Sequence, residues 1–279
     1  MIAELLSYDF MLRALAGGLI VCLVCALLSF FVVLKRMSFI GVGISHSAFG
    51  GLALGVTLGI NPSLSAAVFA MLVAWGIGIT SKKGKLPEDT TIGIFFSAAM
   101  AFGVALISLS SEYRTDLFSL LFGNILAITQ GDLWLLAICG GAVVLFLILF
   151  FKELLTICFD EEMALVGGLQ VGFLYYGLLA AMALTVVVSI KVVGIVLVEA
   201  LLVIPAATGY QLSRNYRLML FWSLSSALIS VLAGLLLSYA YDLASGATIV
   251  LCAALLFGIA FIVSPHRRMK NSNCPCEQE

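Results

Sequence analysis

Charge is scarce in this chain. Asp, Glu, Lys and Arg make up only 10% of its 279 residues while apolar types make up 63%; a water-soluble domain carries about 25% charged residues. There is too little polar surface to cover a globule in water, so lipid must act as the solvent. Familiar catalytic devices are missing as well. No G-x-x-x-x-G-K-[ST] run is present, so the chain has no phosphate cradle with which to bind and split ATP itself. No H-E-x-x-H helix occurs, and the nearest approach to a G-x-S-x-G elbow, Gly43-Ile44-Ser45-His46-Ser47, ends in serine inside an apolar run. The chain is therefore not expected to be an enzyme, to hold a resident cofactor or to bind nucleic acid. The seven cysteines form no disulfide framework: Cys22, Cys25, Cys139 and Cys252 lie inside apolar runs, where a thiol behaves as a small hydrophobe.

What remains is a series of long apolar runs. About 20 residues of helix cross roughly 30 Å of hydrocarbon, and nine segments approach that length: 14–34, 39–60, 64–80, 92–109, 133–151, 171–190, 192–210, 218–239 and 247–263. They lack the ten-residue alternation of a membrane β-barrel. The fold class is thus all-α, a polytopic helical bundle of nine spans, or eight if one run does not cross, forming a transmembrane domain over residues 1–265 with a tail at 266–279. Glu4 and Asp9 precede the first run and no small-residue cleavage site follows it, so it reads as a retained span.

Orientation follows from the basic residues, which short cytoplasmic loops retain. With the N-terminus outside, Lys35, Arg36, Lys82, Lys83, Lys85, Lys152, Arg214, Arg217, Arg267, Arg268 and Lys270 all fall on the cytoplasmic side, eleven of the fourteen Lys and Arg. Arg13, Arg114 and Lys191 fall on the other. The outer stretch 110–132 holds an apolar run, 117–128, that reads as a re-entrant or interfacial helix. The segment 152–170 is the longest inner loop, and Asp160, Glu161 and Glu162 ahead of Gly167 mark a short helix with Asp160 as N-cap and acids in its first turn.

An ionisable group at bilayer depth is costly and is a functional candidate by default. Among fifteen acids only Glu199 lies well inside a span, and of two histidines only His46 does. Each is seven residues into its run, about 10 Å deep at 1.5 Å per residue, so the two can meet near the midplane. Imidazole and carboxylate together suit zinc, manganese or iron; calcium and magnesium call for mostly oxygen donors. Ser45 and Ser47 flank His46, Gly41, Gly43, Gly50 and Gly51 bracket it, and Pro205 follows Glu199, which favours a cavity there. The alternative is a His46/Glu199 pair that only holds helices together. In the tail, Cys274 and Cys276 form a Cys-Pro-Cys unit able to take a soft metal, set against the simpler reading of a disordered end.

Five blocks carry a resemblance over nearly the whole chain: Gly41 to Gly51; Leu86-Pro87-Glu88-Asp89-Thr90-Thr91-Ile92-Gly93-Ile94; Leu121-Phe122-Gly123-Asn124-Ile125-Leu126; Phe159-Asp160-Glu161-Glu162-Met163-Ala164; and Val193 to Thr208. In that order and spacing they resemble the zinc/manganese/iron class of ABC-transporter permeases. The resemblance implies the membrane-spanning subunit of an importer in the inner membrane, paired as a homodimer. Its expected partners are cytoplasmic ATPase subunits, which dock on Asp160, Glu161, Glu162 and Gly167, and an extracytoplasmic metal-binding protein. It puts His46 on the path of the transported ion, and the coordination preference of imidazole with carboxylate ranks zinc ahead of manganese. The family's aspartate one turn before that histidine is replaced here by Val42, and Glu199 is read as supplying the carboxylate from another helix. A secondary cation transporter or channel with a Glu199/His46 relay, an ABC permease for a chelated metal or cobalamin-like compound, and an export or sensing role are the competing readings.

Overall fold

The computed structural model describes residues 9–109, 129–241 and 243–264. The run 117–128, the block 121–126 and the Cys274/Cys276 tail lie outside the described residues. Within them the chain forms eleven helices and no strand: α1 (Asp9–Leu34), α2 (Ile40–Leu58), α3 (Pro62–Gly84), α4 (Glu88–Leu109), α5 (Gln130–Leu149), α6 (Phe151–Phe159), α7 (Glu161–Val166), α8 (Val171–Val193), α9 (Ile195–Leu212), α10 (Tyr216–Tyr241) and α11 (Ser245–Val263). All but α6 and α7 are long and apolar enough to cross a membrane, which gives the nine expected spans.

Helix boundaries are set by local chemistry rather than by the edge of hydropathy. Asn61 accepts hydrogen bonds from the backbone N–H groups of Ser63 and Leu64 at 3.0 and 3.4 Å, and Pro62 occupies the first turn. Helix α3 therefore starts at Pro62 rather than Leu64. Helix α4 starts at Glu88, four residues before its apolar run, because Glu88 and Asp89 suit the positive end of a helix dipole. At α5, Thr129 and Asp132 close a capping box: the Asp132 N–H donates to Thr129 Oγ1 at 3.2 Å and the Thr129 N–H to Asp132 Oδ2 at 3.2 Å. The inner loop expected at 152–170 is largely helical. The chain breaks at Phe150, continues as α6 with Leu154 and Ile157 turned to the core, and then forms the expected short helix as α7.

Helix α2 lies against both α3 and α4, and α9 lies against α1, α10 and α11. Small residues permit the closest approach. A Cβ added to Gly51 would stand 2.7 Å from both Ala66 Cα and Phe69 Cβ and 2.9 Å from the Ser65 carbonyl oxygen, so α2 and α3 touch backbone to backbone there. Serine and threonine link other pairs: Ser223 Oγ on α10 donates to the Ala26 carbonyl of α1 at 3.3 Å, and Thr248 Oγ1 on α11 donates to the Gly234 carbonyl of α10 at 3.1 Å. Outward, Leu64, Leu72, Ile94, Ile138, Ile148, Leu251 and Leu255 remain more than half exposed, a face that lipid covers. Helices α8 and α9 are joined by Gly194 alone, at φ 85° and ψ 164°, a conformation essentially confined to glycine.

Candidate functional site

The two deep ionisable residues meet. His46 Nδ1 on α2 lies 3.3 Å from Glu199 Oε1 on α9. Ser45 Oγ donates to the same carboxylate oxygen at 2.5 Å and lies 3.2 Å from His46 Nδ1. One turn back, the Val42 carbonyl oxygen is 3.1 Å from both His46 Nδ1 and Ser45 Oγ. Helix α9 begins at Ile195 rather than 192, so Glu199 sits about one turn into it, nearer the Gly194 joint than the apolar run indicates. The side chains of His46 and Glu199 keep 24% and 21% of their surface accessible, so the pair is not sealed between helices.

These contacts fix the imidazole tautomer. A carbonyl oxygen can only accept, and a carboxylate can only accept, so the nitrogen facing Val42 and Glu199 must carry hydrogen. With Nδ1 as donor, the Ser45 hydroxyl hydrogen is free for Glu199. The neutral ring then presents the lone pair of Nε2, the nitrogen facing away from the serine, carbonyl and carboxylate. A carboxylate on the far nitrogen of a metal-binding histidine is a recurring arrangement that orients the ring and raises its basicity. Phe96 of α4 stands edge-on to the imidazole, ring centroids 5.0 Å apart at 78°, and forms an apolar wall.

The other candidate residues divide. Ser45 joins the site, whereas Ser47 turns back on its own helix and donates to the Gly43 carbonyl at 2.6 Å. Val42 takes part through its backbone oxygen, not its side chain. Lys191 pairs with Asp132 at 2.5 Å, away from Glu199. No group of three or more His, Cys, Asp or Glu side chains that could hold a metal ion occurs among the described residues.

On α7, Asp160 is the N-cap, accepting from the Glu162 and Met163 N–H groups at 3.0 and 2.9 Å. Gly167 closes the helix, its N–H bonded to the Met163 carbonyl at 2.9 Å. Glu162 is exposed, but Glu161 points inward to Lys35 Nζ and Lys82 Nζ at 3.0 and 2.6 Å. Sequence reasoning missed Phe96, one of nineteen phenylalanines with no distinguishing neighbour, and both lysine partners of Glu161.

A bundle of membrane-length helices that gathers imidazole, carboxylate and hydroxyl between two of them is the build of a multi-pass membrane transport protein. Within that class, residues 7–264 match the ABC 3 transport family, and the chain belongs to it. It is 40% identical over 261 residues to the manganese transport system membrane protein MntC of Listeria monocytogenes, covering 94% of this chain and 93% of that protein. It is 36% identical over 264 residues to a probable iron transport system membrane protein of Haemophilus influenzae, covering 95% and 97%. Among solved structures it is similar to PsaBC from Streptococcus pneumoniae in complex with Fab, with TM-score 0.84, 36% identity and coverage of 98% of this chain and 100% of that one.

Proposed function

We propose that this chain is the membrane-spanning permease subunit of an ABC importer for a divalent transition metal ion, with manganese placed first and iron second. The observation that carries the reading is the His46 arrangement: Nδ1 is committed to Glu199 and Val42, which leaves Nε2 of a partly accessible ring to meet an ion. Coordination chemistry alone ranked zinc ahead of manganese. The order is reversed because the relatives at 40% and 36% identity carry manganese and iron in their names, and carboxylate and hydroxyl oxygen suit manganese well. Glu199 acts from beside the ring, as an orienting base on Nδ1, in place of a carboxylate at Val42.

The subunit works in the cytoplasmic membrane as a homodimer. ATP hydrolysis is supplied by separate ATPase subunits that bind around α7, and the ion arrives from an extracytoplasmic metal-binding protein. The N-terminus is outside. Two observations support that orientation: Lys35 and Lys82 reach the same carboxylate, so two of the basic loops share one end of the bundle, and the excess of Lys and Arg belongs in the cytoplasm. The tail at 266–279, with Cys274 and Cys276, then lies inside the cell.

Uptake into proteoliposomes that hold the permease with its ATPase and delivery protein tests the proposal. Manganese, ferrous iron and zinc are offered to wild type, His46→Ala and Glu199→Ala. Loss of an orienting partner typically costs 10- to 100-fold, so Glu199→Ala should fall by about that factor and His46→Ala by at least as much. Normal uptake in both variants, with assembly intact, would leave the pair as helix-packing glue. Uptake of none of the three ions by wild type would refute the substrate class.

A further inference from the structure

Five elements meet around Glu161 at the basic end of the bundle. Its carboxylate bridges Lys35, at the end of α1, and Lys82, in the last turn of α3. Both ammonium groups lie over the ring of Tyr175 on α8, Lys82 at 4.2 Å and Lys35 at 5.5 Å from its centroid. Tyr175 is fully buried, and its hydroxyl donates to Glu88 Oε1 at 3.1 Å. Glu88 is the first residue of α4, and about two turns further along that helix Phe96 touches the His46 ring. A contiguous set of contacts thus runs from α7 to the site.

We propose that Glu161 is a positioning residue for transport: its two ion pairs lock α7 onto α1 and α3, so that force applied to α7 reaches α4 and the His46 site. This rests on the reading of α7 as the element the ATPase engages. Two acids and two lysines make the cluster charge-balanced, and the tyrosine face beneath the ammonium groups adds cation–π attraction. Glu161 therefore serves a different end from its neighbour Glu162, which faces solvent. The ATPase would meet the outer surface of α7, where Met163 and Val166 are 66% and 86% exposed. Burial works against ionisation of Glu161, but hydrogen bonds from Lys82 and Lys35 outweigh it and hold the carboxyl below the ordinary glutamate range.

The test is the number of metal ions transported per ATP hydrolysed, measured with manganese in proteoliposomes of the full complex. Glu161→Gln keeps the shape and removes the charge, Glu153→Gln in the first turn of α6 is the charge-removing control outside the docking helix, and Tyr175→Phe keeps the ring while removing the link to Glu88. Glu161→Gln should co-purify with the ATPase and hydrolyse ATP, yet transport about tenfold less per ATP, the change that follows from losing one charge-assisted bond. Tyr175→Phe should show a smaller loss and Glu153→Gln none. An unchanged ratio in Glu161→Gln would overturn the proposal, as would loss of ATPase binding in that variant, which would make Glu161 a direct contact. If Glu161→Gln does not fold, an unchanged ratio in Tyr175→Phe overturns it instead. Failure of the wild-type chain to bind any ATPase is a separate outcome and removes the reading on which the inference rests.

Discussion

Gly51→Ala is the sharpest probe of how the metal-site helix is held. The new methyl carbon would stand 2.7 Å from Ala66 Cα and 2.9 Å from the Ser65 carbonyl oxygen, both backbone atoms that no rotamer change can move. Restoring van der Waals contact at about 3.5–4.0 Å requires α2 and α3 to part by about 1 Å. Overpacking of this kind costs about 1–3 kcal/mol, which at about 2–4 °C per kcal/mol for a chain of 150–250 residues lowers the melting midpoint by about 2–12 °C. His46 is on the same helix, five residues earlier, so separation of α2 from α3 should also reduce manganese uptake. Gly93→Ala is the matched control, because nothing stands within 4 Å of its added methyl, and it should melt at or slightly above wild type. The assay is thermal denaturation in one detergent, followed by a thiol-reactive dye, with uptake measured in parallel. Equal midpoints for Gly51→Ala and Gly93→Ala would refute the close approach of the two helices.

Two further outcomes follow from the site and from α7. Ser45→Ala removes a hydroxyl that supports Glu199, whereas Ser47→Ala removes one bonded to its own helix, so manganese uptake should fall several-fold in the first and stay near wild type in the second. Glu161 has a folded-state pKa below its unfolded value, so its contribution is fully present above the unfolded pKa and is lost as pH falls through the depressed folded value. Hydrogen exchange at α7, corrected for intrinsic rate, should accordingly be slow at neutral pH and rise as pH falls from the usual glutamate range through the lower folded-state value; acceleration that begins near neutrality would contradict the ion pairs.

The spans are legible in the sequence because lipid imposes one length on every crossing helix, and all nine runs coincide with observed helices. The shortfall is at polar ends. Pro62 and Glu88 begin helices by capping and dipole chemistry that hydropathy does not register, and α6 is hidden because its sequence continues the apolarity of α5 across the break at Phe150. His46 and Glu199 could be singled out because ionisable groups are so costly at depth. Their distance could not, since it depends on how two helices far apart in sequence cross. Ser45 and Ser47 are indistinguishable as letters, and two helical positions of rotation send one to the carboxylate and the other to its own backbone. Glu161 and Glu162 differ in the same way: the partners of Glu161 are 126 and 79 residues distant in the chain, beyond any local pattern.

Gly194 makes α9 a lever with its carboxylate close to the fulcrum. Glu199 is five residues from the joint and Leu212 eighteen, about 7.5 Å and 27 Å at 1.5 Å per residue. Tilting α9 by about 10° about this single residue would move Glu199 by only about 1.3 Å and the far end by about 5 Å, by trigonometry on that rise. Contact between the carboxylate and His46 could then outlast a swing large enough to open or shut the opposite end of the helix, so that widening the passage and holding the imidazole in line need not compete.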